Sequence, residues 1–361
     1  MSGLRLDIDL DKIGANARHL VDRAAQRGVS ITGVTKVLLG EPRLACTLVA
    51  AGVTGIGDSR LENIERMRRA DVDAPMFLIR SPMPSQIDRV VESNSTSFNT
   101  DRDVLAALAA SARASGRVHD VVVMVELGDL REGVMPEELQ DTVRHVLALP
   151  TLRLRGVGTN LACRSGIEPG DENMAELSGL VDSVEETFGI GIDIVSGGNS
   201  ANLDWLGGTG NVGRVNDLRL GEAIVLGRNP LTRDPIAGLH TDAVTLVAEV
   251  IESKRKPTRP RGHSGQSAFG VVADPMGTGG PDDPDEIWQT IVAAGRQDID
   301  PGDLTPARDV TVLAASSDHL VLRTSTELSP GDTVRFEPGY SALLRAATSP
   351  YVAMVWHEHR T

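Results

Sequence analysis

ITGVTKVLLGEPRLACTLVAAGVTGIGD, residues 31–58, holds one complete strand–helix–strand unit. ITGVTK (31–36) and VTGIGD (53–58) are short β-branched runs bounded by glycine, the pattern of strands. EPRLACTLVAA between them carries apolar residues at the spacing that buries one helix face. The same alternation extends outward. PMFLIR (75–80), STSFN (95–99), HDVVVMVEL (119–127), LRLRGVGTN (152–160), DIVSG (193–197) and LRLGEAIVLG (218–227) read as further strands. Helix-period stretches separate them: SRLENIERMRRA, PSQIDRVVE, DRDVLAALAASARAS, EELQDTVRHVLAL and DENMAELSGLVDSVEETF, with SANLDWL a shorter one. LDKIGANARHLVDRAAQR precedes the first strand. Eight strands with helical connections predict an α/β chain built on a (β/α)8 TIM barrel. Their interiors, nearly continuous in Val, Ile and Leu, suit parallel strands covered on both faces.

After Gly227 the texture changes. AVTLVAEVIES, QTIVAAG, DVTVLAAS, HLVLRTS and DTVRFEP follow without long helices, and KPTRPRGHSGQSAFGVVADPMGTGGPDDPDE interrupts them. This predicts a mostly antiparallel β domain with one long loop. The expected division is a barrel over 1–230 and a β domain over 231–361. RLDIDL at the start also reads as a strand, one able to pair with the second domain.

Composition narrows the class. The net charge of −14 argues against binding a phosphate backbone, so no nucleic-acid partner is expected. Two cysteines, Cys46 and Cys163, match no metal or redox spacing, and their scarcity fits a reducing cytoplasm. No run is long and apolar enough to span a membrane. A small-molecule enzyme of the cytoplasm is the expectation.

Chemistry gathers at the strand ends, where active sites of such barrels lie. Lys36 closes the first strand in GVTKVLLG. Burial there favours its neutral amine, the form a nucleophile needs. A single strand-end lysine usually just keeps its ammonium in water, so its neighbours decide. SGGNS (196–200) opens a helix after the seventh strand, and RLGEA (219–223) lies at the eighth. Backbone N–H groups at such starts favour an anion, and the loops after strands seven and eight form the usual phosphate site of these barrels. Arg131 (GDLREGV), Asn160 (GVGTN) and Arg219 also fall at or near strand ends.

Taken together, GVTKVLLGEP, GIGDSRLENI, VELGDLREGVMP, GVGTNLACRSG, IVSGGNSAN, NDLRLGEAIVLGR, GRQDIDPGDLTP, ASSDHLVL and LLRAATSPYV resemble the ornithine racemase branch of the alanine racemase superfamily, among the fold type III pyridoxal-phosphate enzymes. The resemblance runs from about residue 30 to the C-terminus. It implies pyridoxal 5'-phosphate as cofactor, an amino acid as substrate and a homodimer. Lys36 looks like the lysine that holds the cofactor as a Schiff base, and Arg219 like the residue facing the pyridine nitrogen. Arg131 is placed like the arginine near the ring oxygen. Asn160 stands where alanine racemases have a ring-packing histidine. Asn199, Ser200, Gly221 and Glu222 look like the phosphate cradle, the last two through backbone N–H. Tyr351 matches a C-terminal phosphate-binding tyrosine. The pattern departs at GRQDID, where Arg296 occupies the place of the partner-subunit catalytic tyrosine.

The implied reaction interconverts L and D amino acids, with Lys36 moving the α-proton on one face. For the other face the chain offers His319, Asp298, Asp318 and Tyr351. His319 is preferred, then Asp298, because imidazole titrates nearest neutrality. A basic substrate would want an acidic contact such as Glu132, Asp298 or Asp318. Two other readings stand beside this one: a pyridoxal-phosphate lyase of the D-threonine aldolase or D-serine dehydratase kind, and a non-catalytic carrier of the cofactor. The lyases use a metal. Leu320 and Val321 follow His319, so no second ligand is adjacent and no metal site is expected. Carriers lack a second β domain.

Lys36→Ala is expected to abolish racemisation and the visible absorbance of the bound cofactor together. Full activity in that variant would overturn the role of Lys36.

Overall fold

The computed structural model describes residues 3–263, 265, 266, 269 and 284–358. The chain begins with β1 (Leu4–Asp9) and α1 (Leu10–Ala25), then β2 (Ser30–Val34), α2 (Pro42–Ala50), β3 (Gly55–Asp58) and α3 (Leu61–Arg69). It continues through β4 (Met76–Leu78), α4 (Ile87–Glu92), β5 (Thr96–Asn99), α5 (Arg102–Ala114), β6 (His119–Met124) and α6 (Leu139–Leu147). Then come β7 (Leu152–Gly158), α7 (Asp171–Phe188), β8 (Ile194–Ser196), α8 (Leu203–Gly207), β9 (Asp217–Leu220) and α9 (Glu222–Leu226). The remainder is β10 (Val244–Pro257), β11 (Glu286–Val292), β12 (Leu304–Pro306), β13 (Val310–Ala315), β14 (Leu320–Thr324), β15 (Thr333–Pro338), α10 (Tyr340–Thr348) and β16 (Ala353–His357). Two compact units result: Leu10–Thr241, and Met1–Asp9 with Asp242–Thr361.

In the first unit β2 to β9 close into a barrel. Neighbours are parallel throughout, and β9 returns to β2. The helices cover it for simple reasons. α6 buries Leu139, Thr142, Val143 and Val146, the i, i+3, i+4, i+7 face that a helix presents to a core. Asp101 caps α5: its carboxylate accepts from the N–H groups of Asp103 and Val104 and so satisfies two of the donors a helix start leaves open. β6 is buried at every position from Val121 to Met124, as a strand covered on both faces must be. Each such valine adds about 1.5–3 kcal/mol over exposure. Phe98, Val122 and Met124 form an apolar cluster that Phe77 and Ile79 join.

All eight expected strands are present, mostly shortened at their ends. LRLGEAIVLG is the informative difference. Its strand stops at Leu220, and Glu222–Leu226 is helix. A short apolar run cannot reveal by period alone whether it is a buried strand or a buried helix. Lys36 likewise lies two residues past β2, opening a 3-10 turn over Lys36–Leu38.

In the second unit the 14-residue β10 is the spine. Its first part pairs with β1 and β15, and its second part with β11. The sheet order is β12-β15-β10-β11-β14-β13, antiparallel throughout. β1 adds to β10 antiparallel and to β16 in parallel. α10 was not expected. Its YSALLRAAT buries Ala342, Leu343, Ala346 and Ala347, small residues that carry a weak apolar signal. The centre of the expected long loop, including 270–283, lies outside the described residues. Among the described residues no helix is long and apolar enough to cross a membrane.

One buried titratable group serves the barrel itself. His119 begins β6, and its Nε2 lies 2.8 Å from Ser97 Oγ on β5. Burial pushes its pKa down to about 4, against a smaller upward pull from Asp120. The folded state therefore keeps it neutral, while the unfolded chain protonates it near its ordinary value of about 6.5. Its contribution is present above about pH 6.5 and is lost as the pH falls toward 4, by about 3 kcal/mol. His119→Gln should flatten the decline of the urea midpoint between those pH values. An unchanged slope would assign the acid sensitivity elsewhere.

Candidate active site at the barrel mouth

The site is built from the C-terminal ends of the strands. Thr35, buried between β2 and Lys36, donates from Oγ1 to Asp58 Oδ2 at 2.8 Å. Asp58 closes β3 and also accepts from Arg60 N–H (2.9 Å) and Asn63 Nδ2 (3.0 Å). Burial drives its pKa up, while these donors and the charge of Lys36 oppose that shift. The turn that presents Lys36 is thus pinned to the neighbouring strand. Leu39 N–H closes it on the Lys36 carbonyl at 3.2 Å.

Arg219 is buried in β9. Its Nη2 donates to the Thr159 carbonyl at 2.8 Å and to Asn160 Oδ1 at 3.1 Å, and its Nη1 donates to Ser196 Oγ. The guanidinium carbon stands 5.3 Å from the centroid of the Phe98 ring. Burial brings its pKa down to about 10, with Asp217 pulling the other way. Arg219 therefore stays cationic at neutral pH.

Asn160 joins several of the sequence-predicted residues. Its Oδ1 accepts from Arg219 and from Asn199 Nδ2 (3.2 Å). Its Nδ2 donates to Cys163 Sγ at 3.0 Å, a partner the sequence did not suggest for that thiol. Asn199 caps the turn Ser200–Asn202 by accepting from Ala201 N–H, and its Nδ2 also donates to the Leu161 carbonyl at 2.8 Å. Gly198 ahead of it has φ 145°, a left-handed-side value that favours glycine. Ser200 Oγ accepts from Gly221 N–H (3.4 Å) and Ala223 N–H (3.2 Å), so the two helical starts after β8 and β9 are tied together. A Cβ on Gly221 would stand 3.0 Å from Val34 Cβ. The missing side chain thus lets the end of β9 approach the end of β2, two residues before Lys36. The Glu222 side chain pairs with Arg233.

Two carboxylates shape the rim. Glu126 accepts from the N–H groups of Gly128 (2.7 Å), Leu130 (2.8 Å) and Arg131 (3.0 Å). Asp129 accepts from those of Cys163 (3.1 Å), Arg164 (2.9 Å) and Ser165 (2.9 Å). Burial alone would raise the Asp129 pKa, yet its donors hold it below the usual carboxylate range. Arg131 lies on this rim, 3.5 Å from Glu132.

The other predicted residues belong to the second unit. The turn carrying Arg296 is hydrogen-bonded to the turn carrying His319, through Arg296 N–H to Ser316 O (2.9 Å) and Gln297 N–H to Ser317 O (3.0 Å). Asp298 is buried and accepts from Ser349 Oγ at 2.8 Å. The His319 side chain is exposed, with Nδ1 2.8 Å from Asp318 Oδ1. That contact is the leading cause holding Asp318 below its ordinary pKa. Tyr351 is 69% exposed. Among the described residues no group of three or more His, Cys, Asp or Glu could hold a metal ion.

Sequence reading missed Asp58, Glu126, Asp129, Ser196 and Asp217. Asp217 left a signal: it sits two residues before Arg219 in a strand, hence on the same face, as a second charge in a buried run. The mouth thus gathers an amine, a buried cation and two linked helical starts. An amine can condense with a carbonyl compound, a buried cation repels a further positive charge, and helical starts can receive an anion.

Residues 8–229 match the family model "Alanine racemase, N-terminal domain". The chain is 39% identical to a lysine racemase of Thermotoga maritima, over 98% of both chains. It is 32% identical to an ornithine racemase of Acetoanaerobium sticklandii, over 96% of this chain and 98% of that one. Among solved structures, an alanine racemase from a D-cycloserine-producing Streptomyces lavendulae superposes with a TM-score of 0.77 at 20% identity, covering 100% of this chain and 98% of that one.

Proposed function

We propose that this chain, which belongs to the alanine racemase family, racemises a basic amino acid, lysine or ornithine. Membership makes it an amino-acid racemase, an isomerase. The observation that carries the substrate class is the near-full-length similarity to both a lysine and an ornithine racemase. The lysine racemase shares more of the sequence, so the ornithine expectation widens to the pair. The same matches favour racemisation over the lyase and carrier alternatives. Glu132 at the barrel rim is an acidic contact suited to a side-chain ammonium.

The residues at the mouth fit pyridoxal 5'-phosphate. Lys36 would hold its aldehyde carbon, Arg219 would face its ring nitrogen, and the helical starts at Asn199–Ser200 and Gly221–Glu222 would receive its phosphate. The approach of Gly221 to Val34 brings the second of these starts to the end of β2, two residues before Lys36, so the proposed anchor and the proposed anion site lie at adjoining strand ends. When bound, the cofactor supplies an electron sink that acidifies the substrate's α-hydrogen. The rest is the protein's work. Lys36 moves a proton at the α-carbon on one face. Arg219, cationic at neutral pH, would disfavour a second positive charge on a ring nitrogen held next to it and so would restrain transamination. Arg131 lies on the rim above. On the opposite face the proton carrier is His319, contributed by a second subunit of a homodimer. Its side chain is exposed, whereas the Asp298 carboxylate is turned onto Ser349.

Purified protein supplied with the cofactor should abolish the optical rotation of L-lysine or L-ornithine, with kcat/KM above that for L-alanine by more than about tenfold. Preference for alanine would sink the basic-substrate reading. His319→Ala should slow solvent-deuterium exchange into the α-position from one enantiomer by about 10²–10⁴-fold, and Asp298→Asn much less. Unchanged exchange in the histidine variant would remove His319 from the mechanism.

A further inference from the structure

We infer that Asp217 is a positioning residue for Arg219, acting through the Ser196 hydroxyl to fix the guanidinium at the barrel mouth. The inference rests on the proposed role of Arg219 toward the ring nitrogen. Its evidence is a hydrogen-bond chain that runs one way only. Arginine can donate but not accept, so Ser196 Oγ must accept from Arg219 Nη1. The single hydroxyl hydrogen of Ser196 then goes to Asp217 Oδ2, at 2.5 Å. Thr32 Oγ1 donates to the other carboxylate oxygen at 2.7 Å. Every member of the chain is buried.

A carboxylate placed there is costly. Burial pushes the Asp217 pKa up, with the Ser196 and Thr32 hydroxyls and the charge of Arg219 opposing. Apolar residues often replace buried charges without loss of stability, so packing alone does not call for an acid. What the acid supplies is direction. By taking the serine hydrogen it makes Ser196 Oγ an acceptor toward Arg219, and its charge faces a cation one hydroxyl away. Nη2 is held independently by Thr159 and Asn160, and the guanidinium lies over Phe98. The cation is thereby held from both nitrogens.

The two arms of Asp217 separate positioning from structure. Ser196 leads on to Arg219, whereas Thr32 ends at β2. A merely structural carboxylate would be hurt equally by loss of either arm.

The test loads Asp217→Asn, Ser196→Ala, Thr32→Val and Arg219→Gln with pyridoxal phosphate. It follows the spectral change that marks transamination during turnover of L-lysine and L-ornithine, a half-reaction that transfers the amino group to the cofactor and leaves a 2-oxo acid. Cofactor affinity is measured separately by fluorescence titration of the apoprotein. Asp217→Asn and Ser196→Ala should each raise the share of turnovers lost to transamination, and weaken cofactor binding, by about tenfold, the scale of one charge-assisted hydrogen bond. Thr32→Val should lower the melting temperature and leave both readouts near those of the parent protein. Should Asp217→Asn fail to fold, Ser196→Ala carries the test alone. A rise in Arg219→Gln with none in the Asp217 and Ser196 variants overturns the inference while sparing the role of Arg219. An equal rise in Thr32→Val also overturns it. No rise in Arg219→Gln defeats the underlying reading of Arg219, and this inference with it.

Discussion

The barrel closes around the side chain of Asp217. Between β8 and β9 the register pairs Ser196 with Asp217 alone, a thin seam beside the six pairs that join β6 to β7. Backbone bonds flank that pair, from Asn216 N–H to Val195 O (3.1 Å), Gly197 N–H to Asp217 O (2.9 Å) and Arg219 N–H to Gly198 O (2.9 Å), and side chains reinforce them. Asp217 draws a hydroxyl from each neighbouring strand, Ser196 on β8 and Thr32 on β2. Just below, Asn216 Oδ1 accepts from Val195 N–H at 2.8 Å. The strand that completes the cylinder also carries Arg219, so the side chains that reinforce this seam are the same ones that place the buried cation. The approach of Gly221 to Val34 follows from that closure, as does the tie from Ser200 to Gly221 and Ala223.

The architecture was legible because its cause is local and repeated. Runs such as VVVM in β6 and helices such as α6 state their burial in their own periodicity, and eight repetitions leave little room for another fold. What failed to register was local as well. EAIVL could be strand or helix until Gly221 is seen to break the strand, and the alanines of α10 carry too little apolar contrast to announce a helix. The position of Lys36 beyond its strand, in a turn of its own, belongs to the same class of end effect.

The site was legible to a different depth. Arg219, Asn160 and Asn199 were read from separate strings, and they share one hydrogen-bond network. Asp58, Glu126, Asp129 and Asp217 were passed over because surplus acidity runs through the whole chain and marks none of them. Only the fold shows that these four are turned inward, each satisfied by backbone or hydroxyl donors. The segments GRQDID and ASSDHLVL stand about twenty residues apart, and nothing in the sequence pairs them. Their turns are in fact stitched together by backbone hydrogen bonds, which makes Arg296 and His319 neighbours within one surface of the β unit.

Glu126 and Asp129 have a further meaning for the rim. Between them they accept six backbone N–H groups from the loops that follow β6 and β7. Loops secured in this way have surrendered their conformational entropy during folding, so a ligand entering above them meets a preorganised frame and loses little affinity to ordering it. The same fastening makes these segments poor candidates for a moving lid. Selectivity at this edge of the barrel is therefore a matter of fixed shape and charge, and any gating of the mouth falls to other parts of the molecule.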